Sequence, residues 1–361
     1  MPPAPSPQFA QVDELTTSDS AADFSSDVPS ELAEEERREG VAGLSPFRLG
    51  LRRLRRNKVA LAFGLLFVVL VGACLAAPLW ADYVAETGPL TNHLSDKTMV
   101  DGKEVNVVGL DGVPIGPTYR AKYFLGADEN GRDIMVRLLY GGRNSLMIGV
   151  TAALLTTVLS VFLGLLAGYV RGKVDTAIRG LLDIIWSFPV IILGVALGVS
   201  LALGGLQLGP INIAGDSLLI PVLVIGVVYV PYMARPVRGQ VLALREKEFI
   251  EAARAQGASP PRIMFSEILP NLASTILVFS TLLIANAVLL EAALSFLGAG
   301  VRPPAPSWGT MIDAGVDRIA TAPHLAIAPG IMLILTVLAL NVFGDGVRDA
   351  LDPRAKVRLD H

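Results

Sequence analysis

One cysteine, three histidines and a charged fraction of 17% are what this sequence has least of, and each shortage removes a class of protein. The lone thiol, Cys74, supports no disulfide framework and says nothing of redox compartment. His93, His324 and His361 lie far apart with no cysteine cluster beside them, so no metal-ligand spacing is present. A net charge of −3 offers no basic field for nucleic acid. The phosphate cradle GxxxxGK[ST] is missing too: the Gly-Lys pairs Gly102-Lys103 and Gly172-Lys173 are followed by Glu104 and Val174. The start lacks the basic-then-apolar order of a signal peptide.

Apolar residues are what the chain has in excess, at 52% with a mean hydropathy of +0.54. Charge is also well below the roughly 25% of an ordinary soluble domain. A helix needs about 20 apolar residues to cross a bilayer. Six stretches qualify, about 59–80, 146–170, 182–204, 217–235, 272–297 and 324–344. Backbone polar groups in lipid must be satisfied internally, and no ten-residue alternation of a barrel is present, so these read as helices. The fold class expected is an all-α membrane protein with six transmembrane helices. Pro189 and Pro231 are expected to kink spans 3 and 4, and Gly164-x3-Gly168 and Gly194-x3-Gly198 to allow close helix packing.

Residues 1–45, rich in Pro, Ser, Ala, Asp and Glu, show no sustained apolar period and read as a disordered acidic tail. That tail is either a solvated extension or a site for a regulator. The remaining divisions are a flank with span 1 at 46–81, a long loop at 82–145, five spans at 146–345 and a tail at 346–361.

Orientation follows Lys and Arg beside the spans. Arg48, Arg52, Arg53, Arg55, Arg56 and Lys58 precede span 1, and Arg171, Lys173 and Arg179 separate spans 2 and 3. Arg235, Arg238, Arg245, Lys247, Arg254 and Arg262 lie between spans 4 and 5, and Arg348, Arg354, Lys356 and Arg358 follow span 6. The two short loops opposite hold Arg302 and Arg318. Both termini are therefore expected in the cytoplasm, and the 82–145 loop outside it.

Between spans 4 and 5 runs EFIEAARAQGASPPRIMFSEILPN, Glu248 to Asn271, a mixed-charge passage that reads as two short helices. Gly257 fits a C-terminal stop, Ser259 with Pro260 fits an N-cap and first turn, and Pro270 is expected to end the second helix before span 5. Small Ala252, Ala253 and Ala258 leave room for a close partner. Such a helix lies on lipid, docks in a protein groove or is simply solvated.

Glu251-Ala252-Ala253, Gly257 and Leu269-Pro270 match the EAA loop of ABC-importer permeases, EAA-x3-G-x11-LP, although Glu267 stands where that pattern is apolar. LGADENGRD (125–133) with RLLYGGRNSL (137–146) resembles LGTDxxGRD…RLxYGxRxSL of the dipeptide/oligopeptide permeases, with Ala127 for Thr. LSFLG (294–298), Pro303-Pro304, PSWG (306–309) and NVFGDGVRDALDPR (341–354) resemble that family's further segments, and Phe47–Ala60 resembles the start of its DppC/OppC-like member. The resemblance spans about 46–354.

What the resemblance implies is a MetI-like type I ABC-importer permease in a bacterial cytoplasmic membrane, with an extended extracytoplasmic loop after helix 1. It implies a transporter subunit and not an enzyme, with no cofactor of its own and with ATP and magnesium on partners. Those partners are a sister permease, two ABC ATPase subunits, an extracytoplasmic substrate-binding protein and membrane lipid. The implied substrate is a dipeptide or oligopeptide, and nickel chelates or sugars are the alternatives for the same machinery. The loop 238–271 becomes the ATPase-coupling segment, carried by Glu248, Phe249, Glu251, Ala252, Ala253, Arg254, Gly257, Ala258, Ser259, Pro260, Arg262, Leu269 and Pro270.

Asp183 and Glu291 are the membrane charges of note, because ionisable groups there are expensive. Pairing within the chain and substrate contact both remain open for them. Ser280, Asn286 and Glu291 in span 5 are the candidates for lining a translocation path. The GADENGRD stretch is turn-forming, and either holds the entrance of span 2 or touches a docking protein. Tyr119, Tyr123 and Phe124 are candidates to anchor the loop at the interface. Two rival classes stay open: a stand-alone secondary transporter or channel, and a non-transporting membrane scaffold.

Overall fold

The computed structural model describes residues 46–100 and 102–351. The acidic tail, Asp352–His361 and the basic residues Arg354, Lys356 and Arg358 lie outside the described residues. The chain divides into units 1–49 and 50–361, and of the first only Pro46–Leu49, the opening turn of helix α1 (Pro46–Arg56), is described.

Span 1 is α2 (Lys58–Leu75), continued by α3 (Ala77–Trp80) and a π-helical turn at Ala81–Ala85. Asn57 starts α2 by accepting the Ala60 N–H at 3.0 Å. The second span is α4 (Ile134–Val170), which begins twelve residues earlier than its apolar run and reaches about 55 Å at 1.5 Å per residue. Its early start shortens the expected 82–145 loop, because Asp133 caps it: the carboxylate accepts the Val136 N–H at 3.1 Å.

Span 3 is not the straight helix expected. It is a pair, α5 (Gly172–Trp186) and α6 (Val190–Gly204), broken by 89° at Ser187–Pro189. Proline removes a donor and clashes with the preceding turn, and here that breaks the helix instead of kinking it. Span 4 is α7 (Leu219–Val228) and α8 (Val230–Arg245), bent by 42° around Tyr229 with Pro231 in the first turn of α8. Among the described residues four helices are long and apolar enough to cross a membrane, or up to six spans when each bent pair is one span. The bend at Tyr229 is satisfied from α4, where Thr156 Oγ1 donates to Gly226 O at 2.9 Å and Ser160 Oγ to Val230 O at 3.0 Å.

After α9 (Glu248–Ala255) the chain runs through α10 (Pro260–Arg262), a π-helical segment at Ile263–Ile268 and α11 (Leu269–Phe296) as one uninterrupted helical stretch. Pro270 therefore does not end a helix, contrary to the expectation. The wider π turn, in which the Leu269 N–H reaches back to Met264 O, immediately precedes the proline and absorbs its missing donor. The final helices are α12 (Trp308–Val316) and α13 (His324–Leu351). Two small hairpins complete the described elements, β1 (Lys97–Val100) with β2 (Lys103–Asn106) and β3 (Leu206–Leu208) with β4 (Ile211–Ile213).

α4 is the central helix, packed on α8, α11 and α7. Its bare glycines permit this: a Cβ on Gly164 would meet Val237 at 2.7 Å, and one on Gly168 would meet Val241 at 2.7 Å. Gly194 and Gly198 likewise let α6 approach Leu294 and Ala299. Ile148, Leu165, Ile225, Met233, Val237, Leu283 and Leu290 fill the main core. A second cluster gathers Cys74, Leu138, Trp308 and Met311 where α2, α4, α12 and α13 meet. Outward-facing Leu65, Val68, Leu154, Phe162 and Ile334 stay exposed, the expected finish for helices whose solvent is lipid.

Candidate functional site

The segment 248–270 is built from a small number of anchored residues. Glu248 and Glu251 sit in the first turn of α9, where negative charge complements the helix dipole. Ile250 is fully buried in the main core, Ala253 is half-buried beside it, and the rest of the helix is exposed. Burying one isoleucine is worth about 1.5–3 kcal/mol, enough to hold so short a helix by one face. Glu248, Phe249, Glu251, Ala252 and Arg254 are left facing outward.

The helix stops by a Schellman arrangement. Gly257 has φ +81°, its N–H donates to Arg254 O at 2.9 Å, and the Ala258 N–H donates to Ala253 O at 3.0 Å. A side chain at Gly257 meets open space, so conformation and not crowding demands glycine there. Ser259 occupies the N-cap position of the next helix with extended backbone and no side-chain bond, and Pro260 follows in the first turn. Ile263 and Ile268 are buried, Ala258 and Leu269 half-buried, and Ser259, Pro260, Arg262 and Pro270 exposed. Glu267 is half-buried, and its carbonyl accepts from Asn271 Nδ2 at 2.7 Å. Among the described residues no ion pair is formed by Glu248, Glu251 or Arg262.

A contact that sequence reading missed ties this segment to α4. The Tyr169 ring, one residue before the end of α4, lies 5.7 Å from the Arg245 guanidinium carbon and 5.8 Å from that of Arg254. Arg245 Nη1 also donates to Tyr169 O, one of the carbonyls a helix end leaves without a partner. Nothing in the local sequence signals this, because the partners are 76 residues apart.

The span 5 candidates separate in space. Ser280 Oγ bonds Ile276 O at 2.7 Å and Thr157 Oγ1 at 3.1 Å, pinning α11 to α4. Asn286 is half-buried, and its side chain donates to Leu282 O at 3.0 Å. Glu291 is fully buried, so it lines no surface that this chain offers to a path. It accepts from Ser295 Oγ at 2.7 Å, in the region where Ser295 Oγ takes the Val301 N–H and Ser145 Oγ takes the Trp308 N–H. Asp183 is exposed and paired with Arg235 at 2.7 Å, while Arg238 grips Asp175 through two bonds of 2.6 and 2.7 Å.

The GADENGRD turn closes on itself. The Asp128 carboxylate takes the N–H groups of Asn130 and Arg132 at 2.9 Å and the Arg132 Nε at 2.7 Å, with Arg137 at 3.4 Å. Asp133 adds the Tyr123 N–H at 2.6 Å to its cap of α4. Tyr123 does not anchor the loop in an interface, as expected of it. It is buried against Val107 and Ala127, and burial pushes its phenol up to about 12. Tyr119 is exposed, and Phe124 stacks edge-on against Trp80 at 6.1 Å.

With the geometry in place, comparison with known proteins is direct. Residues 160–357 match the family model of the binding-protein-dependent transport system inner membrane component, and residues 45–95 match the N-terminal TM domain of oligopeptide transport permease C. A glutathione transport system permease protein, GsiD, of Pectobacterium atrosepticum is 36% identical over 86% of this chain and 92% of its own. A dipeptide transport system permease protein, DppC, of Alkalihalophilus pseudofirmus is 37% identical over 87% and 91%. A di/tripeptide transport system permease protein, DppC, of Pseudomonas aeruginosa is 34% identical over 86% and 93%. Among solved structures, the MetNI methionine ABC transporter in inward-facing conformations aligns over 61% of this chain and 98% of its own, with 21% identity and a TM-score of 0.49.

Proposed function

This chain belongs to the family of binding-protein-dependent transport-system inner membrane components, and on that premise we propose that Glu248–Pro270 is the segment through which partner ATPases drive peptide import. A permease of this kind is a membrane-embedded transport subunit and not an enzyme, and works with an ATPase and a substrate-binding protein.

One observation carries the coupling assignment. α9 is held to the core through Ile250 alone among its fully buried residues, shows its charged face outward, and runs through the Gly257 elbow into an unbroken helical stretch from Pro260 to Phe296. A push on α9 is thereby delivered along a continuous rod to α11, and a rigid lever with two positions is what a nucleotide-biased equilibrium needs. The basic residues flanking the spans support a reading with α9 and both termini in the cytoplasm and the 82–133 loop outside. A sister permease completes the path across the exposed apolar helix faces. Peptides, including short ones such as glutathione, are the substrate class that the relatives' names favour over nickel chelates and sugars.

The test is reconstitution of the complete complex in vesicles with uptake and ATP hydrolysis measured together. Glu251→Lys and Gly257→Pro are expected to assemble, to hydrolyse ATP and to lose uptake. Normal coupled uptake in both variants refutes the assignment, and ATP-independent transport by the purified chain alone overturns the importer reading. Competition of labelled dipeptide uptake by glutathione, a nickel chelate and a sugar decides the substrate class.

A further inference from the structure

We infer that Tyr169 is the positioning residue that seats the coupling helix on the central span, so that displacement of α9 moves α4 as well as α11. The inference rests on the coupling assignment above and goes beyond it, because the elbow at Gly257 leads to α11 and says nothing of α4.

Three observations converge on this ring. It stands at the very end of α4, one residue before Val170, where the helix leaves its last carbonyls without partners. Two guanidinium groups address it from different elements, Arg245 from the end of α8 at 5.7 Å and Arg254 from α9 at 5.8 Å, both within the range of cation–π attraction. Arg245 also grips the Tyr169 carbonyl, so α8 is fastened to the end of α4 by backbone and ring together. Two residues on, the link is repeated, with Arg171 Nη1 3.4 Å from Glu246 Oε1 in the turn between α8 and α9.

The asymmetry of the two arginines gives the contact its meaning. Arg245 belongs to a helix already packed along α4, through glycines that leave no clearance, so that contact is fixed. Arg254 belongs to the outward-facing helix and is itself exposed. Arg254 on Tyr169 is thus the part of the arrangement that a moving α9 strains or carries with it. α4 then distributes the motion, because it pins α11 through Thr157–Ser280 and supports the α7–α8 bend through Thr156 and Ser160. A single cation–π pair is a modest link, and its loss is expected to loosen coupling without dismantling the fold.

The experiment compares Tyr169→Leu, Tyr169→Phe and Arg254→Gln in the reconstituted complete complex, with substrate uptake per ATP hydrolysed as the readout. Tyr169→Leu keeps apolar volume but no π face, and is expected to lower that ratio about ten-fold, with Arg254→Gln lowering it about three-fold. Tyr169→Phe keeps the ring and is expected to retain the ratio. The double variant Tyr169→Leu/Arg254→Gln is expected to be no worse than Tyr169→Leu, since both remove one contact. An unchanged ratio in Tyr169→Leu, a Phe variant as impaired as the Leu variant, or additive losses in the double variant overturn the inference. Should Tyr169→Leu fail to assemble, Arg254→Gln decides, read together with its ATPase binding in a pull-down: a lowered ratio with unchanged binding supports the seat, and an unchanged ratio or a loss that tracks weakened binding overturns it. If Glu251→Lys and Gly257→Pro uncouple while these variants do not, the seat is refuted and the coupling segment stands. If none of them uncouples, the coupling segment itself is wrong.

Discussion

The GADENGRD turn and the EAARAQGASPP elbow are similar in composition, short, charged and hinged on glycines with positive φ, yet they treat their polar groups in opposite ways. In the first, Gly126 at φ +89° and Gly131 at +73° fold the chain so that Asp128 and Asp133 spend their oxygens on backbone N–H groups, Arg132 and the entrance of α4. In the second, Gly257 turns the chain so that Glu248, Glu251 and Arg262 point away from it. A charged motif whose partners are inside the chain is architecture. One whose charges form no ion pair among the described residues fits the proposed interface, since such side chains are free to be shaped by another surface.

The sharpest break of that contrast is expected next to the turn, at the PSWG segment. Trp308 is fully buried, donates from Nε1 to Leu138 O at 3.1 Å and fills the second cluster, so Trp308→Ala is expected to cost about 3–5 kcal/mol. Thermal unfolding of the purified complex in detergent checks it, and a melting temperature within a degree of the parent rejects the packing account. Asp128→Ala comes next. It leaves Arg132 and the buried Arg137 without their shared carboxylate, and a loss of about 2–4 kcal/mol is expected in the same assay. If that variant instead melts normally and fails to bind the substrate-binding protein, the turn is a docking surface and the contrast collapses.

On the elbow side the expected stability effects are small and the functional ones large. Gly257→Ala places a side chain at φ +81°, at a strain cost of about 1–2 kcal/mol, and is expected to lower uptake per ATP more than it lowers melting. Ala252→Phe enlarges an exposed small residue, so melting should stay put while affinity for the ATPase subunits falls, measurable by pull-down in detergent. Retained ATPase binding in that variant removes Ala252 from the interface.

Much of this was legible in order along the chain. Apolar length placed the helices, and Gly257 followed by Ser259-Pro260 placed the elbow, because composition and φ preference act locally. Legibility ended where the outcome depended on distant neighbours. Pro270 reads as a helix end, but a π turn built from Ile263–Ile268 carries the helix through it, with Ile263 and Ile268 buried in the core. Pro189 reads as a kink and is an 89° break. Tyr123 reads as an interfacial aromatic and is buried under its own loop. Glu291 reads as a candidate for the path and is sealed among serines. In each case the local signal was real, and the way the chain folds around the residue decided its use.

What the sequence alone determined is the class of molecule: apolar runs of membrane length, basic residues flanking them, and a charged hinge too polar to remain in lipid. These follow from transfer free energies and backbone preferences that each residue carries with it. What only the tertiary structure decided is which polar groups are spent inside. Asp128 is, and among the described residues Glu251 forms no ion pair, because satisfaction of a polar group depends on which atoms arrive beside it. The ring of Tyr169 between Arg245 and Arg254 is the clearest instance, a contact of three residues that no local pattern joins.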